Sequence, residues 1–263
     1  MSFNRPLSVA SAALVGFCLG FSSTSALADE SDAKRLLQHM SDYMAAKQSI
    51  SFDYDATLEV VTTEDQKLGI AASGTVTLVR PDKINATRTG GFSDIELLFD
   101  GKTVTLIGKR VRVFTRLPVE GTIDDLVDVL REEYGRPLPA ADLLMSNPYQ
   151  ALMSEVTDIK DLGSGFIRGH ECDHLAFRTP DVDWQIWIAQ GERPFPCRYV
   201  ITTPGLSQGP QYTIEILDWR VGEVLQEEAF VFMAPDGATE VVFEEYESSV
   251  NELSGPYMKG GGQ

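Results

Sequence analysis

The sequence predicts an α+β protein built on a strongly curved, open antiparallel sheet of about eleven strands, an incomplete barrel with helices on its concave face. Three observations carry that expectation. The apolar period changes from 3.6 to 2 after the first helical segment, alternating segments of strand length then recur to the end of the chain, and one helical insertion interrupts them. A sheet that long must curl or close, and the helices have only the concave face on which to bury their apolar stripes.

The elements follow in order. Ser31 to Lys47 reads as an amphipathic helix, with Ser31 as N-cap and Ala33, Leu36, Leu37, Met40, Tyr43 and Met44 on one stripe. Ile50, Phe52, Tyr54, Ala56, Leu58 and Val60 then alternate with Ser51, Asp53, Asp55, Thr57 and Glu59, a long strand with one apolar and one wet face. Strands are expected at about 68–80, 83–89, 94–99, 103–108 and 110–116, with reversals at Arg80-Pro81-Asp82 and Asp100-Gly101. Thr122, with Asp125 three residues on, opens a helix whose stripe is Ile123, Leu126, Val127 and Leu130 and which Gly135 closes. A short helical pair is expected at about 140–145 and 148–153. Strands resume from about Val156, and the last three are expected at 211–219, 229–232 and 239–244. The Gly-rich stretch from Gly255 to Gln263 reads as a flexible tail.

Residues 1–28 read as an export signal. Arg5 is a short basic region, Leu7 to Phe21 is apolar, and Ala26-Leu27-Ala28 places small residues at the −3 and −1 positions of a cleavage site before Asp29. The expectation is a periplasmic protein cleaved after Ala28, with residues 29–254 forming one domain. No later segment holds 18 uninterrupted apolar residues, so no transmembrane anchor is expected. Arg5 is the one charge in residues 1–28, so cleavage takes the formal net charge from −17 to −18. That charge, with no basic patch along the chain, excludes nucleic acid as a partner.

The stretch from Gly165 to Thr203 holds most of the distinctive residues. Cys172-Asp173-His174-Leu175-Ala176-Phe177-Arg178, Asp183-Trp184-Gln185-Ile186-Trp187-Ile188 and Arg198-Tyr199-Val200-Ile201-Thr202, together with Arg80-Pro81-Asp82-Lys83 and Asp100-Gly101-Lys102-Thr103, resemble the DUF2092 family of predicted periplasmic proteins. That family is similar in architecture to the lipoprotein carriers LolA and LolB and to mycobacterial LppX, in which an open curved sheet is lidded by helices over an apolar cavity. The resemblance implies a LolA-like fold and a hydrophobic ligand. It brings no catalytic residues, and His170 and Cys197 depart from the family pattern.

Several local patterns compete with that picture. His170, Cys172 and His174 share one face of a strand, but ligands spaced about 6.5–7 Å apart by strand rise are too spread for one ion, so no metal or other cofactor is expected. Gly205-Leu206-Ser207-Gln208-Gly209 has the Gly-x-Ser-x-Gly spacing of hydrolases, yet prolines flank it and a strand follows it where the nucleophile elbow needs a helix. Cys172 and Cys197 are the two cysteines left after export, and an even count in an oxidising compartment favours a bridge. A simple meander argues the other way, since it holds them two strand spacings apart, about 9–10 Å, against the roughly 7 Å that a disulfide spans. Both outcomes stay open, because curvature and the Pro194-Phe195-Pro196 loop bear on the gap.

The function expected is a non-enzymatic carrier or sensor of a hydrophobic ligand, such as a lipid or lipoprotein acyl chain. Cavity candidates are Phe52, Tyr54 and Leu58 of the first strand, Leu126 and Leu130 of the inserted helix, and Trp184 and Trp187. These two tryptophans lie on opposite faces of one strand, so only one can line a given cavity. The alternative is an envelope module that binds a protein partner and whose core is filled by its own side chains. A weaker alternative is an enzyme using a polar site at Asp173 and His174.

Overall fold

The structure, a computed structural model, describes residues 30–91 and 93–250. The expected export signal, its expected cleavage site and the tail from Gly255 lie outside the described residues. Helix α1 (Glu30–Ala45) is followed by six strands, β1 (Ser49–Val61), β2 (Lys67–Val79), β3 (Lys83–Gly90), β4 (Ser93–Phe99), β5 (Thr103–Gly108) and β6 (Val113–Pro118). The insertion holds α2 (Ile123–Glu132), a 3-10 turn (Ala141–Leu144) and α3 (Pro148–Leu152). Five strands then resume the sheet, β7 (Asp158–Ile167), β8 (His170–Arg178), β9 (Asp183–Ala189), β10 (Pro196–Thr202) and β11 (Gln211–Val221). A second 3-10 turn (Glu227–Phe230), β12 (Thr239–Glu240) and α4 (Phe243–Ser249) complete the described chain.

All twelve strands form one open, curved sheet in the order β12-β6-β5-β4-β3-β2-β1-β11-β10-β9-β8-β7. Every pairing is antiparallel except β12 with β6. The two arms are meanders that meet where β1 pairs with β11, which is why a chain with one helical interruption still makes a continuous sheet.

Register assigns the faces. Tyr54 pairs with Ile216 and with Gly74, and Ile186 pairs with Leu175 and Tyr199, so Phe52, Tyr54, Val76, Leu175, Phe177, Trp184 and Ile186 all point to the concave side. There they share one core with Ala33, Leu37, Met40 and Met44 of α1 and Ile123, Leu126 and Leu130 of α2. The expected stripe of α2 is the buried one, and that of α1 is buried at Ala33, Leu37, Met40 and Met44, while Leu36 and Tyr43 are half-buried and Ser41 is buried beside them. Thr122 caps α2 through a full capping box with Asp125, whose carboxylate accepts from the Thr122 backbone N–H at 2.7 Å.

Four expectations are corrected. The first helix begins at Glu30, one residue ahead of the expected cap at Ser31. The sixth strand starts at Val113, because Arg112 takes the left-handed region (φ 56) and ends the turn there. The segment expected as a strand at 229–232 contains a 3-10 turn that buries Phe230, and Phe232 then lies against Phe114 with ring centroids 4.8 Å apart. The last expected strand divides into the two-residue β12 and α4, since β6 offers parallel partners only at Val113 and Phe114.

The convex face is not wholly wet either. Leu98, Ile107 and Phe114 form a small cluster there beneath Phe232 and Ala238, and Ile167, Cys172, Ala189 and Cys197 form another. The C-terminal segment thus covers a patch of the outer face before α4 packs beside β6.

Candidate functional site

The concave face divides into a lidded part and an open part. In the lidded part, Phe52 and Tyr54 of β1, Leu126 and Leu130 of α2 and Trp184 of β9 are all buried in the single core. Trp184 stacks on Phe177 at 3.9 Å and meets Tyr199 edge-on at 5.7 Å. Leu37, Met40, Leu126 and Leu130 are each 0% exposed, so side chains from the helices fill this half of the concavity.

Further along β1 and β2 the same face outruns its helices. Leu58 pairs with Ile70 on one side and Tyr212 on the other, and these three with Leu68 are only half-buried. Leu58, Leu68 and Ile70 stand outside the core cluster that contains Phe52 and Val76 further along the same two strands. The strands here are long because the alternation persists to Val61, whereas α1 packs chiefly against β7, β9 and the inserted helical turns. An apolar strip of the concave sheet is left only partly covered.

Arg88 sits at the inner margin of this strip. It occupies the inward register of β3 after Ile84 and Ala86, and it pairs across to Ile95 of β4. Burial lowers the pKa of its guanidinium, while the Tyr54 and Tyr212 phenols act in the opposite sense and Arg136 adds to the lowering. Arg136 itself is paired, its Nη1 donating to Glu247 at 2.6 Å. Sequence reasoning missed Arg88; the available signal was a guanidinium falling in phase with Ile84 and Ala86.

The remaining sequence candidates separate. Trp187 points to the convex face, stacked on His174 at 4.0 Å with the Arg198 guanidinium 5.4 Å from its ring. Asp173 and His174 are neighbours in sequence, so they project to opposite faces of β8 and form no dyad. Asp173 accepts from Gln190 Nε2 at 2.7 Å, and His174 Nε2 lies 3.0 Å from Gln185 Oε1. Burial lowers the His174 pKa. Among the described residues no three His, Cys, Asp or Glu side chains converge as a metal site. The segment Gly205-Leu206-Ser207-Gln208-Gly209 is the loop of the β10–β11 hairpin, tied by Thr203 N–H donating to the Pro210 carbonyl at 3.1 Å.

The meander at Cys172 and Cys197 has the expected order but not the expected spacing. Cys172 pairs with Ala189, while Pro196 pairs with Ile188 and Arg198 with Trp187, so the register slips at Cys197. The extra residue turns Cys197 onto the same convex cluster, and the two free thiols face each other with sulfurs 2.6 Å apart. Their shared hydrogen bond lowers the pKa of Cys172 and, with burial, raises that of Cys197. Nearby, two rim clefts of about 350 and 280 Å³ share His170, Arg193 and Phe195.

Comparison with known structures returns likenesses of low identity. The Mycobacterium tuberculosis lipoprotein LppX aligns at 14% identity and a TM-score of 0.45, over 73% of this chain and 96% of that one. An uncharacterised conserved protein from Thermus thermophilus aligns at 10% and 0.46, over 80% and 98%. A LolA superfamily protein from Nitrosomonas europaea aligns at 12% and 0.35, over 76% and 97%. Below a TM-score of 0.5 such likenesses carry no functional weight. No curated protein matches the chain significantly. The family model for predicted periplasmic proteins of the DUF2092 type matches residues 33–244, which takes in every strand and most of both long helices, and the chain therefore belongs to the DUF2092 family.

Proposed function

We propose that the protein is an exported, non-enzymatic binding protein that takes up a hydrophobic ligand, such as an acyl chain, on the open part of its concave sheet. The observation that carries this reading is the strip of Leu58, Leu68, Ile70 and Tyr212, an inward-facing apolar surface that is only half-buried. Burying an alkyl chain there gains about 0.8 kcal/mol per methylene, so a chain of ordinary lipid length supplies useful affinity without any covalent step. Asp173 and His174 project to opposite faces of β8, which supports a reading without catalysis.

A second reading is favoured by the filled half of the concavity. With Leu126 and Leu130 fully buried, the helices act there as core and not as a loose lid, as expected of a module that presents a preformed surface to a protein partner. Native mass spectrometry with organic extraction of protein purified from the periplasm separates the two. Co-purifying acyl species that are lost in Ile70→Asp support the binding protein. A ligand-free protein that also fails to take up a long-chain fluorescent fatty acid in vitro overturns it and leaves the partner module.

A further inference from the structure

We infer that the ligand is an anionic amphiphile whose carboxylate or phosphate head is held by Arg88 while its chain lies along Leu58, Ile70 and Tyr212. This rests on the binding-protein reading and adds the chemistry of the head group. The positions on β3 that share the inward register are Ile84, Ala86, Arg88 and Gly90, so a single cation interrupts a row that is otherwise apolar or bare. The register of β3 against β2, Ala86 on Val76 and Thr89 on Ser73, sets Arg88 beside Gly74 and Tyr54 on the face that carries Leu58 and Ile70 further along, and the phenol of Tyr212 in the strip acts on its charge. A chain laid along the strip would bring its polar end to the guanidinium.

The chemistry of that end follows from the donor. A guanidinium carries five N–H groups in a fixed plane, so it can hold a ligand oxygen alongside its neighbours in the fold. Part-burial strengthens each charged hydrogen bond it makes relative to the same bond in water. The phenols beside it supply neutral oxygen, and the Tyr54 hydroxyl is committed as a donor to the Thr87 carbonyl at 2.9 Å. A planar guanidinium suits carboxylate and phosphate through paired N–H donors, and neither an alcohol nor a neutral ester matches that geometry.

The test is titration of the mature, full chain with hexadecanoate, hexadecyl phosphate, hexadecanol and inorganic phosphate. Both anionic amphiphiles should bind more tightly than hexadecanol. Arg88→Gln should weaken the two anionic ligands by roughly ten- to hundredfold, the effect of losing a charged hydrogen-bonded partner, and leave hexadecanol unchanged. Arg88→Lys should retain a large part of the preference. Should Arg88→Gln fail to fold, the wild-type ranking together with Arg88→Lys decides the matter. Equal binding of hexadecanol and hexadecanoate overturns the head-group role and leaves the apolar strip standing. Inorganic phosphate binding as tightly as hexadecyl phosphate overturns the amphiphile in favour of a free-anion site. If none of the four binds, this inference and the binding-protein reading fall together.

Discussion

The Tyr54 hydroxyl reaches across Gly74 to donate to the Thr87 carbonyl, so one side chain from β1 spans β2 and fastens β3 at 2.9 Å. A Cβ at Gly74 would lie 1.9 Å from that carbonyl oxygen and 2.7 Å from the hydroxyl, so no other residue fits beneath the ring. Strands β1, β2 and β3 are thereby tied together at one close approach. It also sets the Tyr54 ring beside Arg88.

Tyr54→Phe should cost about 1 kcal/mol, since it leaves the Thr87 carbonyl to find another donor. Gly74→Ala should cost more, about 1–3 kcal/mol, because the collision is with backbone and cannot be relieved by a rotamer change. Urea unfolding monitored by tryptophan fluorescence measures both. Equal stability of Gly74→Ala and the wild type would show that the strands do not approach as closely as described.

Leu130→Asp and Leu58→Asp should behave differently although both replace inward leucines. Leu130 is 0% exposed, so a carboxylate there is buried without a partner and should destabilise the fold by several kcal/mol. Leu58 lies on the open strip, where the same change should cost about 1 kcal/mol or less yet abolish acyl-chain binding. Thermal melts paired with ligand titration separate the two residues. A stable, folded Leu130→Asp would place α2 outside the core.

Cys172 and Cys197 should be bridged in protein recovered from an oxidising envelope. The bulge at Cys197 puts two buried thiols in one cluster, and exchange with an envelope disulfide would take two electrons and two protons from the pair. Thiol titration of the denatured protein should find no free sulfhydryl before reductant is added. Loss of such a bridge should cost on the order of 3 kcal/mol. Two titratable thiols in the unreduced sample would rule the bridge out.

His174 makes stability pH-dependent in a defined sense. Burial lowers its folded pKa beneath the ordinary 6.5, so the unfolded chain takes up a proton first as pH falls. Stability should therefore be fully present above about pH 6.5 and decline as the pH drops from there towards the folded value. In His174→Gln that portion of the slope should vanish. NMR titration of the imidazole gives the folded pKa directly, and a value above 6.5 would reverse the sign.

Export should leave Asp29 as the first residue, because Ala26-Leu27-Ala28 presents small residues at both positions a signal peptidase reads. Intact mass of the periplasmic species checks this. A mature terminus before Ala26 would show that another site is used.

Sequence alone determined the parts of this protein whose signals are local. The stripe of α1, the Thr122–Asp125 capping box and the alternation of β1 are written within a few residues of where they act, and helix or strand follows from periods of 3.6 and 2. Opposite projection of Trp184 and Trp187, or of Asp173 and His174, follows from the same period. Tertiary structure decided what depends on partners far along the chain. The turn at 227–230 lies against β3, where Asn85 Nδ2 donates to the Ala229 carbonyl, and helix α4 takes over where the pairing of β12 with β6 stops after two residues. One extra residue at Cys197, invisible without its partner β9, brought its sulfur to that of Cys172, which the sequence left open. Arg88 became a candidate anchor only when strands β1 and β11 brought Tyr54 and Tyr212 to its side. Alternation gives a side chain one of two directions; which residues wait in that direction is fixed by register and curvature, and both are long-range properties of the folded sheet.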